Sequence, residues 1–249
     1  MSESISTALA IAISGSDLYI VGNVFEDDRI QAVYWKNDIR VDLSDGVHEC
    51  KASSIAVVGN DVYVSGTLNL NGISVARYWK NGVPVDLTDT TTVVATASSI
   101  FVSGTDVYVA GQQALIQGNT LKVSTAIYWK NGSPVLLSNG IHDARALSIY
   151  VSENQVHVVG YEQYFDINNS IAKYWIDGYE LTVSGNTGKY ISFAKATSIV
   201  VAGGNIYAAV QEGDPANNTS FAKYWRDGCT INLTEGSSIT DINSMFVVE

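Results

Sequence analysis

The sequence predicts an all-β fold, a five-bladed β-propeller with four antiparallel strands per blade and the first strand of each repeat innermost. Three observations predict it. The phrase Ala76-Arg77-Tyr78-Trp79-Lys80-Asn81-Gly82 returns, with small changes, at 32–38, 126–132, 172–178 and 222–228. Its tyrosines, Tyr34, Tyr78, Tyr128, Tyr174 and Tyr224, stand 44, 50, 46 and 50 residues apart, and Trp35, Trp79, Trp129, Trp175 and Trp225 directly follow them. A period of that length marks stacked or radial units. The intervening apolar runs are short, β-branched and bounded by Gly, Asn and Asp, with no helical period, so each unit is built of strands.

Taken in order, the repeats cover about 8–52, 53–97, 98–146, 147–196 and 197–242 of one domain spanning 1–249. Each opens with an apolar inner strand, at 53–58, 98–102, 147–151 and 197–201, and segments of the same kind stand at 9–13 and 243–248. An alternating second strand follows a tight turn, as at 61–66 and 106–111. The third strand is the recurring phrase, closed by Asn81-Gly82, Asn131-Gly132, Asp177-Gly178 or Asp227-Gly228, the pairs suited to a type I′ turn; Asn37-Asp38 is the weaker version. The fourth strand tolerates Pro84 and Pro134 because an edge need not donate every amide. The pleat sends tyrosine to one face of the third strand and tryptophan to the other, so the ten aromatic residues are expected to pack between blades. Six inner-type segments against five of every other strand leave one over. Residues 243–248 compete with 9–13 for blade one, pair on an outside edge, or pair with another molecule.

A chain of 249 residues with 46% hydrophobic content can bury a core without metal or disulfides. Its net charge of -11 opposes nucleic acid and anionic lipid surfaces. No run is long enough to cross a membrane and the start lacks a signal-peptide pattern, which reads as cytoplasmic for the chain as written. Cys50 and Cys229 are expected on opposite faces as free thiols.

The apolar inner strand, the Tyr-containing second strand ending in Gly and the aromatic outer strands resemble a Kelch-type blade. The Tyr-Trp-Lys-Asn-Gly wording is similar to repeats of bacterial surface and secreted propellers, which implies a secreted or cell-surface address. Tachylectin-type lectins resemble the chain in blade count alone, without its repeat wording. Such propellers include binding proteins, scaffolds and enzymes, so function must be argued from the site.

Variation concentrates in the connections between second and third strands, 23–29, 112–120, 161–169 and 211–218, and in the blade-to-blade loops of the same face. There His48, Lys51, His142, Arg145 and Lys195 are expected near the channel mouth, able to hold a carboxylate or sugar hydroxyls, with Tyr161, Tyr164 and Phe165 as stacking candidates. Glu26-Asp27-Asp28 lacks calcium-loop spacing, no Cys or His pattern suggests a metal, and no cofactor motif occurs. His157 stands at a packing position. The resulting expectation is a monomeric, non-catalytic binding module for a glycan or protein ligand. Two alternatives stand beside it: a propeller glycosidase using Glu49, Asp143 or Asp241 near the channel mouth, and an assembly protein dimerising through its surplus strand.

Overall fold

The computed structural model describes residues 5–118, 120–164, 169–184, 193–214, 219–235 and 240–248. Among them there is no helix, and the strands form five antiparallel sheets. The first holds β1 (Ile5–Ser14), β2 (Asp17–Glu26), β3 (Arg29–Lys36) and β4 (Ile39–Asp42) in that order. The second holds β5 (Glu49–Val58), β6 (Asp61–Leu70), β7 (Ile73–Lys80) and β8 (Val83–Asp86). The third has β9 (Val93–Ser103), β10 (Asp106–Gln117), the two-residue β11 (Thr120–Leu121), β12 (Thr125–Lys130) and β13 (Ser133–Leu136), with β11 clipped to the end of β10. The fourth is β14 (Asp143–Ser152), β15 (Gln155–Tyr164), β16 (Asn169–Ile176) and β17 (Tyr179–Ser184). The fifth is β18 (Phe193–Ala202), β19 (Asn205–Asp214), β20 (Thr219–Arg226) and β21 (Cys229–Asn232). These sheets are the blades of a five-bladed β-propeller. The chain divides into two compact units: unit 1, residues 1–122 and 128–134, and unit 2, residues 123–127 and 135–249.

The Lys-Asn of the recurring phrase has a local cause. Asn81 takes φ 52° at the β7–β8 turn. Its Oδ1 accepts the Val62 amide at 2.9 Å while its Nδ2 donates to Asp61 at 2.8 Å. Lys80 reaches the same carboxylate at 3.0 Å and lies over the Tyr63 ring. Asn37 with Lys36 and Asn131 with Lys130 repeat this clasp on Asp17 and Asp106. In blades four and five Asp177 and Asp227 keep only the acceptor half, each 2.9 Å from an amide of the second strand. The residue is therefore selected twice, for positive φ and for tying the turn to its neighbour.

A glycine stands in the middle of the second strand of blades one to four, where the partner inner strand bulges. Between Ala146 and Ser148 the register slips opposite Gly160, and a Cβ on Gly160 would lie 1.8 Å from the Arg145 carbonyl oxygen. Gly160→Ala is expected to destabilise the protein by about 1–3 kcal/mol through forced backbone displacement, read as a lower urea midpoint. Blade five carries Val210 at this place, opposite Ala196.

Within each unit the tryptophan of one blade packs on the tyrosine of the blade before it. In unit 1, Trp79 joins Tyr34, Tyr19 and Val21 of blade one in a single cluster. In unit 2, the rings of Tyr174 and Trp225 lie 5.5 Å apart. His157, buried, shares a 2.7 Å hydrogen bond with the Tyr174 hydroxyl. Burial pushes that imidazole below its ordinary pKa and pushes the Tyr174 phenol up to about 12. Cys50 is buried, Cys229 is exposed, and both are free thiols.

Two sequence expectations change. The second and third strands extend through most of the stretches expected to be variable loops: β2 and β3 are joined only by Asp27-Asp28, at φ 51° and 59°. Tyr161 and Tyr164 consequently lie on β15, whereas Phe165 falls outside the described residues. Residues 243–248 form no ladder; the Met245 amide, with the adjacent Ile242 carbonyl, bonds to the Ser198 and Thr197 side chains of blade five.

Candidate functional site

The inner strands start earlier than their apolar runs suggest, so Lys51, Arg145 and Lys195 are strand residues rather than loop residues. Each directly precedes the alanine of the bulge and pairs across to the second strand, with Thr67, Tyr161 and Gln211 respectively. Thr7 and Thr96 hold the same register in blades one and three. The position is common to all blades, and only three of them place a cation there.

In unit 1 the groups pair locally. His48 Nδ1 meets Asp45 Oδ2 at 2.7 Å, and Asp45 Oδ1 accepts the amides of Val47 and His48, both at 2.8 Å. Lys51 lies 3.4 Å from Glu49, which also approaches Asn69. Lys51 further borders a cleft of about 320 Å³ with Ile5, Thr7, Asn23, Phe25 and Ile30. Glu26 is engaged by both terminal nitrogens of Arg40, at 2.7 and 2.8 Å, so the acidic turn is already countered by a cation.

Asp45 carries a pH prediction. The backbone amide of His48, followed by the His48 ring and the Val47 amide, outweighs burial and holds its carboxyl at about 2. A depressed acid stabilises the fold above the ordinary carboxylate pKa, about 4, and that contribution is lost as pH falls towards 2. Carboxyl carbon NMR is expected to give an Asp45 midpoint near 2. His48→Ala should raise it only part of the way, since the largest cause is a main-chain donor.

Unit 2 gathers more of the candidates. His142 and Tyr164 are in ring contact, with centroids 4.2 Å apart. The Tyr164 hydroxyl donates to Glu162 Oε2 at 2.7 Å, and Lys173 bridges Glu162, at 3.2 Å, to Glu180. Burial, then the Glu162 hydrogen bond, raises the Tyr164 phenol. The Arg145 guanidinium lies 5.9 Å over Tyr161 and 3.8 Å from Asp143. Asp143, the first residue of β14, accepts the Ser124 amide at 2.9 Å and keeps 14% of its side chain exposed. Asp241 accepts from Gln211 Nε2 at 2.8 Å. Besides these, a cleft of about 300 Å³ lies between the first-to-second-strand turns of blades four and five, bordered by Glu153, His157 and Gly204.

Sequence reasoning passed over Glu162 with Lys173 and their blade-five counterparts Glu212 with Lys223. Aligning the repeats exposes them: Val24 with Val33 and Gln113 with Ile127 fill the same two places in blades one and three. Charged pairs at otherwise mainly apolar positions were the available signal.

No family model, Kelch-type or other, and no curated protein sequence matches the chain. Among solved structures it is similar to a thermostable family-43 glycoside hydrolase, at 12% identity and a TM-score of 0.51 over 95% of this chain and 96% of that one. It is also similar to the catalytic domain of a Coprinopsis cinerea GH62 α-L-arabinofuranosidase, at 9% identity, TM-score 0.41 and 84% of each chain. A GH43 endo-arabinanase from Bacillus licheniformis gives 9% identity and a TM-score of 0.39 over 92% of this chain and 93% of that one. The first of these likenesses corrects the expectation of a non-catalytic binding module: this arrangement of strands is shared end to end with a glycoside hydrolase, and the classification as not an enzyme is not kept.

Proposed function

We propose that the chain is a polysaccharide-cleaving hydrolase whose working carboxylates include Asp143. The observation that carries the reading is the setting of Asp143. It opens an inner strand, one oxygen is oriented by the Ser124 amide, the other faces Arg145, and most of its side chain is shielded from water. An oriented, shielded carboxylate is what glycosidic cleavage needs as base or nucleophile, paired with a second acid that protonates the leaving oxygen. Asp241, more exposed and held by one side-chain hydrogen bond, is the second acid in unit 2. Glu49 holds the Asp143 place in blade two. Arg145 and Lys195 supply donors for sugar hydroxyls, and Tyr161, Tyr164 and His142 supply ring faces.

The test measures new reducing ends from a panel of α- and β-linked polysaccharides. Wild type is expected to cleave at least one, and Asp143→Asn and Asp241→Asn to lose about 100-fold or more in kcat. Melting curves of both variants guard against unfolding, because Asp143 also holds the Ser124 amide. No cleavage by wild type, or full activity of a folded Asp143→Asn variant, overturns the reading.

A further inference from the structure

Resting on the hydrolase reading, we propose that the substrate is a uronic-acid polysaccharide, with a sugar carboxylate held by Arg145 and Lys195. Both cations lie in unit 2, as do Asp143 and Asp241. They hold the same place on adjacent inner strands, β14 and β18, one residue before the alanine of the bulge. The two strands are tied directly, the Ile199 amide donating to Ser148 Oγ at 3.2 Å. Blades one and three put Thr7 and Thr96 at this place, so the fold itself does not demand a cation there.

Neither cation is spent within the unit. The chain has 25 acidic residues for 14 Lys and Arg, so acids are in excess. Among the described residues of unit 2, Lys173, Lys223 and Arg226 each meet a carboxylate at 3.6 Å or closer, whereas Lys195 meets none. Its cross-strand neighbour Gln211 gives its amide nitrogen to the Thr240 carbonyl and to Asp241. Arg145 meets Asp143 with one nitrogen at 3.8 Å, beyond hydrogen-bond reach, while its guanidinium is set over the Tyr161 ring. A planar fork with donors to spare suits a carboxylate, and the ammonium on the adjacent strand adds a second positive charge. Neutral donors would serve a hydroxyl; two uncompensated cations match a negative group.

In unit 1 the cleft of about 320 Å³ between blades one and two is bordered by Ile5, Thr7, Phe25 and Ile30, with Lys51 from the next inner strand. The equivalent positions of blades four and five carry Asp143, Arg145, Gln163, Ser170 and Lys195. Apolar groups thus give way to charged and polar ones at the blade pair where the oriented Asp143 stands. Each cation is also linked to a proposed acid: Arg145 is two residues from Asp143, and Lys195 pairs across the ladder with the Gln211 that holds Asp241.

Calorimetric titration of the intact chain with trisaccharides of galacturonic, glucuronic and mannuronic acid, each beside its neutral methyl ester, provides the test. Reducing ends released from the same sugars are measured separately. At least one acid is expected to bind tenfold or more tighter than its ester. Arg145→Gln and Lys195→Gln, shown to be folded by their melting curves, are each expected to cut that ratio about tenfold, the size of one hydrogen bond to a charged group. Lys195→Arg, which keeps the charge, should retain most of it. No acid bound in preference to its ester, or a preference that survives both substitutions to Gln, overturns the proposal, even where a neutral polysaccharide is cleaved and the hydrolase reading stands. Acid-selective binding that depends on Arg145 and Lys195 but comes without cleavage of any polysaccharide supports the carboxylate site and removes the hydrolase reading instead.

Discussion

Trp79→Ala is expected to destabilise the protein by about 3–5 kcal/mol, and Trp35→Ala by far less, although both residues occupy the same place in the repeat. The difference follows from what covers each ring. Trp79 has no exposed surface and packs with Tyr19, Tyr34 and Val21 of the blade before it. Around it the backbone is shaped to fit, since a Cβ on Gly66 would come within 2.7 Å of the indole Cζ3. Removing the ring opens a cavity that this close packing cannot collapse, and the cost is transfer plus void. Trp35 is half-buried, and its deletion forfeits only part of its contact area. Urea denaturation of the two variants decides the matter; equal losses would mean that the tryptophans stabilise each blade from within and not the junction between blades.

The same asymmetry explains what the sequence revealed and what it hid. Strand order, turns and the opposed tyrosine and tryptophan faces were legible because each repeats and each has a local cause, as the Lys80-Asn81 clasp on Asp61 shows. The hairpin ends were misjudged because Asp27-Asp28 makes a two-residue turn with non-glycine residues at positive φ, and turn chemistry without glycine reads as loop. His48 and His142 looked like a matched pair. Their partners, Asp45 and the Tyr164 ring, come from different sequence neighbourhoods and give them different tasks. Asp143 was visible only as one acid among several, since its anchoring amide, Ser124, belongs to the preceding blade and stands 19 residues away in the chain. The glycosidase reading stood only as an alternative, because the inner strands carry Ser, Ala, Ile and Val, and a repeat pattern records what packs rather than what reacts.

Lys223→Met is expected to destabilise the protein by about 3–5 kcal/mol, and the double variant Glu212→Leu, Lys223→Met to recover most or all of that loss. Glu212 is fully buried on β19, with Oε2 against the Lys223 ammonium and Oε1 without a hydrogen-bond partner. Lys223 itself lies 5.6 Å over the Phe221 ring with only 15% of its side chain exposed. Taking away the ammonium strands a carboxylate where water cannot solvate it, and that penalty dominates the single variant. Taking away both charges removes the penalty and an unpaired oxygen together, leaving apolar groups of similar volume. The repeat supplies its own control: blade one fills these two places with Val24, buried, and Val33, with no exposed surface. A double variant as unstable as the single one would show that the pair is needed for more than its own neutralisation, and that blade five relies on charge where blade one relies on packing.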